Sequence, residues 1–241
     1  TCGFIETAKK DSIDTLLAAN DLKKQTNVKA VVALGCMAER YGEELEKSLP
    51  EADAILGFDD YSDIAQKLNQ ILKGNKPKAP VAQDRRLLLP ISPSQRTSKT
   101  VKKFNRFRLD EKFVAPLKLA SGCDRRCTFC AIPRFRGAYF GKDLGDIRLL
   151  ETLLPEIAKI SDISWIRLSY LQPAEIRSTL IESILKTPKV VPYFDISFQH
   201  AHPDVLRRMK RFGSTKEFLN LIENIRKINP EAGIRSNFLS L

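Results

Sequence analysis

Short apolar, β-branched runs alternate with amphipathic helical stretches along this chain, and that alternation restricts it to an α/β architecture. Residues 28–34 and 52–56 read as buried strands. Residues 7–25 read as an amphipathic helix with Ile13, Leu16, Leu17 and Leu22 at helical spacing. Residues 38–49 read as a helix stopped by Pro50, and residues 61–73 as a helix ended by Gly74. Strands alternating with helices imply a parallel sheet with crossover connections.

Residues 74–103 carry Pro77, Pro80, Pro90 and Pro93 among Lys, Ser and Gln, and read as a linker. Beyond it the alternation resumes. Residues 104–109, 113–120, 163–169, 190–197 and 234–238 read as strands; residues 147–160, 174–185, 203–211 and 215–228 read as helices. The expected organisation is therefore an amino-terminal parallel α/β domain over 1–73, a basic linker over 74–103 and a second domain over 104–241. No repeat of solenoid period interrupts this scheme.

Cysteine placement adds chemistry to the fold. Cys123, Cys127 and Cys130 form C-x3-C-x2-C in a loop directly after an expected strand, where α/β folds bind ligands. Three thiolates on one loop suit three irons of a four-iron cluster and leave the fourth iron open to a small molecule. A zinc site is the other reading, with His200 or His202 as a fourth ligand. A disulfide framework fits less well than either, because five cysteines is an odd count and the chain is too long to need stapling. Cys2 and Cys36 each lie beside a glycine at an expected turn, and the pattern leaves them as buried core thiols or as ligands.

Charge is uneven. Residues 1–73 carry 9 basic and 13 acidic residues, whereas residues 74–112 carry 11 basic and 3 acidic. Such a belt fits a polyanionic partner, or a solvated linker. No run reaches the 18 or so apolar residues of a membrane span, and the start does not read as a signal peptide. Unpaired thiols point to a reducing cytoplasm. Gln199 and His200, after a strand, are candidates for lining a cofactor or substrate pocket. Asp195 and Arg167 are site-facing or structurally paired. His202 reads as a helix start before Pro203, and Trp165 as core.

The chain resembles the methylthiotransferase family of radical S-adenosylmethionine (SAM) enzymes, most closely the branch that modifies an aspartate of ribosomal protein S12. The resemblance rests on Thr1-Cys-Gly-Phe-Ile-Glu-Thr-Ala-Lys, Gly35-Cys-Met-Ala-Glu-Arg-Tyr, Leu49-Pro-Glu-Ala-Asp, the run from Ser121 to Gly137, Phe198-Gln-His-Ala-His and Leu206-Arg-Arg-Met-Lys-Arg. Gly3-Phe-Ile, Arg125-Arg126, Ala131-Ile-Pro and Gln199-His200 favour this branch over the relative that modifies tRNA adenosine.

The resemblance implies a partial TIM-like (β/α) barrel after the amino-terminal domain, two 4Fe-4S clusters and SAM. Cys123, Cys127 and Cys130 would hold the SAM-binding cluster, with Phe129 beside it, and Cys2 and Cys36 two corners of an auxiliary cluster. One SAM would methylate a sulfur at the auxiliary cluster; the second, reductively cleaved, would abstract hydrogen from the aspartate β-carbon. S12, free or in the ribosome, would be the substrate, with rRNA contact through the basic belt and an electron donor that the sequence leaves unspecified. The family places a further auxiliary-cluster cysteine upstream of Thr1, extra elements between Phe140 and Gly141, and a carboxy-terminal RNA-binding-like (TRAM) barrel. The chain is therefore expected to be part of a longer enzyme.

Overall fold

The computed structural model describes residues 1–87, 113–117, 119–141 and 148–239. The chain divides into two compact units, one of residues 1–125 with 130–144, the other of residues 126–129 with 145–241. The expected strand at 104–109 lies outside the described residues.

The first unit is built on two parallel strands, β1 (Val32–Leu34) and β2 (Ala54–Leu56), paired as Val32 with Ala54, Ala33 with Ile55 and Leu34 with Leu56. A parallel pair needs a crossover, here the helix α2 (Cys36–Ser48). Alternation along the strands separates two faces. Ala33 and Ile55 pack with Leu16 of α1 (Glu6–Gln25) and with Met37, Ala38 and Leu45 of α2. Ala54, Leu56, Val32 and Leu34 pack on the opposite face with Ile64 and Ile71 of α3 (Ile64–Leu72). Full burial of Ile55 contributes about 1.5–3 kcal/mol.

Two of the four apolar residues expected on the buried stripe of α1 are exposed: Leu17 and Leu22. At 3.6 residues per turn both lie roughly 100–120° around the helix from Leu16, whereas Ile13 and Ala19 flank it. The expected helix over 61–73 begins as a 3₁₀ turn (Phe58–Asp63) and becomes α-helical only at Ile64.

The first described part of the proline-bearing stretch packs onto this unit. Ala79 is buried in its core. Pro80 lies so close to α2 that a Cβ on Gly42 would stand 1.9 Å from the Pro80 carbonyl oxygen. Arg85 reaches back to the carboxylates of Glu39 and Asp59. The same unit holds a small antiparallel pair, β3 (Ala120–Ser121) with β4 (Phe140–Gly141), and between them the helix α4 (Ile132–Arg136).

The second unit is also parallel. β5 (Tyr193–Gln199) pairs with β6 (Gly233–Phe238). The strand expected over 163–169 appears only as isolated parallel bridges, Ile166 to Val190 and Leu171 to Ile196. Between them Tyr170 adopts φ 64°, which breaks the extended ladder. Helices α5 (Leu149–Ala158), α6 (Ser178–Lys186), α7 (Pro203–Arg208) and α8 (Thr215–Ile228) complete the unit. Phe194, Ile196 and Phe198 of β5 form one core with Leu154, Ile184, Leu206 and Ile225 of these helices. The Phe198 and Phe218 rings stack at 4.2 Å between centroids. Among the described residues no helix is long and apolar enough to cross a membrane.

Candidate metal centres

Cys2 and Cys36 are far apart in sequence, and the backbone brings their turns together. Gly35 ends β1 with φ 110°, a conformation that favours glycine. The Cys36 N–H donates to the Thr1 carbonyl at 3.1 Å, and the Thr1 backbone nitrogen donates to the Leu34 carbonyl at 2.7 Å. A Cβ on Gly3 would meet the Cys36 carbonyl oxygen and the Met37 Cα, each at 2.9 Å. These contacts leave no room for side chains at Gly3 and Gly35. The two thiols therefore sit on adjoining turns at the carboxyl end of β1, the edge where α/β sheets bind ligands.

Around Cys36 the first unit assembles charge and aromatic surface. Arg136, the last residue of α4, donates from Nη2 to the Cys36 sulfur at 2.9 Å, and its guanidinium lies 5.1 Å from the Phe58 ring centre. Burial pushes the Tyr61 phenol above its ordinary pKa. The neighbouring Cys36 and Glu39 add to this and Arg136 opposes it. Glu39, only 3% exposed, accepts from Phe58 N–H at 2.8 Å and from Arg85. Burial pulls the Arg85 guanidinium down in pKa, but Glu39 and Asp59 outweigh it and hold Arg85 above its ordinary value.

The three-cysteine loop is closed at its base. Gly122 has φ 75°, and a Cβ there would stand 2.0 Å from the Ala138 carbonyl oxygen. The Cys123 N–H donates to the Gly137 carbonyl at 3.1 Å, and the Tyr139 N–H to Asp124 at 2.9 Å. Thr128 and Phe129 form a turn between Cys127 and Cys130, with Phe129 exposed. Within the second unit the Thr128 N–H donates to the Met209 carbonyl at 3.2 Å. Arg211 reaches the buried Cys127 sulfur at 3.7 Å and also donates to the Ser197 carbonyl.

None of the five cysteines is in a disulfide. Among the described residues no three His, Cys, Asp or Glu side chains are gathered as a metal-holding group. The donor chemistry nonetheless fits an iron-sulfur group: soft sulfur ligands on glycine-bearing turns, with guanidinium groups directed at two of the sulfurs.

Gln199 ends β5 with φ 74°, beside an irregularity in the β5–β6 register. The next residue, His200, accepts the His202 N–H at its Nδ1 (3.0 Å). His202 caps α7 by accepting the Asp204 N–H at 3.2 Å, as its position before Pro203 suggested. Asp195 is buried and structurally paired with Arg235 at 3.5 Å. Trp165, expected in the core, is 56% exposed. It alternates with the inward-facing Ile166 and Leu168, and with Arg167, Val191 and Tyr193 it lines an open concavity of about 470 Å³. Arg167 stacks over Tyr193 at 4.4 Å. Of the basic belt's described cations, Lys76, Arg85 and Arg86 are engaged by carboxylates, which leaves less charge for a polyanion.

Arg136 and Arg211 escaped the sequence reading, because each meets its sulfur across many residues of chain. Their nearest sequence signal is the arginine-rich setting of Arg134-Phe-Arg136-Gly and Lys210-Arg211.

Residues 1–57 match the family described as Uncharacterized protein family UPF0004. The chain is 51% identical to the "Ribosomal protein uS12 methylthiotransferase RimO" of Cutibacterium acnes, over 100% of this chain and 61% of the relative. It is 50% identical to the protein of the same name from Kineococcus radiotolerans, over 99% of this chain and 59% of the relative. The chain thus spans about three fifths of the length of these relatives. The first alignment runs over 294 positions for the chain's 241 residues, so the relative has positions without a counterpart here. In fold the chain is similar to the radical S-adenosylmethionine methyltransferase TsrM of Kitasatospora setae, a structure with cobalamin and a [4Fe-4S] cluster bound. The TM-score is 0.55 at 14% identity, covering 94% of this chain and 53% of that one.

Proposed function

We propose that this chain, which belongs to the methylthiotransferase family of its RimO relatives, is part of a radical SAM enzyme that inserts a methylthio group at the β-carbon of an aspartate of ribosomal protein S12. The observation that carries the reading is identity of about one half, along essentially the whole chain, to relatives named for uS12 methylthiolation. In this reading the enzyme works in the cytoplasm.

In this reading Cys123, Cys127 and Cys130 hold one 4Fe-4S cluster, and Cys2 and Cys36 supply two ligands to a second. The parallel strand–helix series of the second unit is then an arc of a partial TIM-like barrel. Phe129, Gln199 and His200 line the SAM pocket. When bound, a reduced cluster with an open iron supplies SAM with an electron, and so a route to a C–H bond that no general base can break.

The chain's own residues position and insulate. Gly3 and Gly35 let the Cys2 and Cys36 turns close on each other. Gly122 and Gly137 fold the three-cysteine loop back on itself, and the Thr128–Met209 bond ties down the Cys127 end. Arg136 and Arg211 each present a guanidinium to a sulfur that is anionic as a ligand. These preformed contacts supply the orientation and exclusion of water on which transfer to an unactivated carbon depends.

Mass analysis of an S12 peptide and of tRNA nucleosides after anaerobic reaction tests the substrate. A gain of one methylthio group on the peptide aspartate is expected. Modified adenosine with an unmodified peptide would instead assign the tRNA activity. Cys127→Ala should abolish SAM cleavage, whereas Cys36→Ala should retain cleavage and lose sulfur insertion.

A further inference from the structure

We propose that Arg136 is a positioning residue that compensates the charge of the Cys36 sulfur and thereby raises the reduction potential of the cluster bound there. This rests on the assignment of Cys36 as a cluster ligand. The Arg136 Nη2 lies 2.9 Å from Cys36 Sγ. No carboxylate among the described residues is paired with Arg136, unlike its neighbour Arg85, which Glu39 and Asp59 neutralise. The charge of Arg136 is therefore directed at sulfur. Its other contact is the Phe58 ring, 5.1 Å away at its centre, which offers no anion.

The placement is fixed by the fold. Pro133 and Phe135 of α4 are buried, so this short helix is anchored on the side opposite to its exposed Arg134. The helix starts just after Cys130 and ends at Arg136. The short stretch from Cys130 to Arg136 thus links a proposed ligand of one cluster to the guanidinium at a sulfur of the other, within the first unit. Arg211 at Cys127 is the looser case: 3.7 Å from sulfur, with its other nitrogen held by the Ser197 carbonyl.

Hydrogen bonds and positive charge at a cluster thiolate stabilise the electron-rich, reduced state and move the potential upward. Removing Arg136 should therefore make the cluster harder to reduce, without removing a ligand.

The test uses intact protein in which Cys123, Cys127 and Cys130 are replaced by alanine, so that only the Cys2 and Cys36 centre remains. Its midpoint potential is read by EPR during titration with titanium(III) citrate, which gives up one electron per cluster and becomes titanium(IV). Arg136→Gln should keep the parent's iron content and show a more negative midpoint. Arg136→Lys, which keeps the charge without the fork, should fall between the two. An Arg136→Gln midpoint equal to the parent's would overturn the inference and leave the cluster assignment standing. If the glutamine variant loses its cluster, Arg136→Met, which also removes the charge, decides: a more negative midpoint supports the inference, and a parental value overturns it. A parent that assembles no cluster would overturn both the inference and the assignment of Cys36.

Discussion

Thr1 and Cys36 are joined by a backbone hydrogen bond of 3.1 Å, from the Cys36 N–H to the Thr1 carbonyl. The bond sets Cys2 on a turn adjoining that of Cys36, and Gly3 is the residue that lets them approach. In Gly3→Val the new side chain would press on the Cys36 carbonyl and Met37 Cα. A loss of about 1–3 kcal/mol is expected, together with reduced iron at the amino-terminal centre. Thermal unfolding and iron content of the anaerobic variant check both, and unchanged iron would separate the packing from the site.

Glu39 is the buried hub of the same unit. Glu39→Ala leaves Arg85 without its buried partner and the Phe58 N–H without its acceptor. The expected cost is about 3 kcal/mol by chemical denaturation. The double variant Glu39→Ala, Arg85→Met should recover part of it, since the half-buried guanidinium left with only the exposed Asp59 as partner is then gone as well.

Asp53 supplies a pH dependence. Burial pushes its carboxyl up, but the Lys23 ammonium at 2.5 Å and the Val31 N–H at 2.6 Å outweigh this and hold its pKa below the ordinary 3.8. A depressed carboxylate stabilises the fold above its unfolded value, and that contribution disappears as pH falls through the folded value. Asp53→Asn should therefore lower Tm near neutral pH. The gap to the parent should narrow progressively below pH 3.8.

The second unit should respond to core truncation. Ile184 is fully buried between α6 and β5. Ile184→Ala is expected to cost about 2–5 kcal/mol, through lost transfer energy and the cavity left behind. Denaturation followed by near-ultraviolet dichroism checks this.

Legibility in the sequence followed the locality of the cause. The bounds expected for helix α8, residues 215–228, are the observed ones; Ser214 caps it locally by accepting the Glu217 N–H, and Phe218 and Ile225 form its buried face. The parallel pairing of β1 with β2 followed from strand–helix alternation. The segment 163–169 reads as a continuous strand, because nothing in the composition announces the positive φ of Tyr170 just beyond it. Trp165 reads as core yet is exposed, because alternation does not say which face of a sheet the helices cover. The cysteines were visible as a spacing. The guanidinium that meets Cys36 is a hundred residues away, and only the packing of α4 brings it there.

The proposed function requires two iron-sulfur centres, one of which takes SAM. The most direct measurement is iron and acid-labile sulfide per chain of the anaerobically purified intact protein, with EPR before and after SAM. Two four-iron clusters, only one of them altered by SAM, are the predicted result. A single SAM-responsive cluster would return Cys2 and Cys36 to the core, and zinc without iron would contradict the account outright.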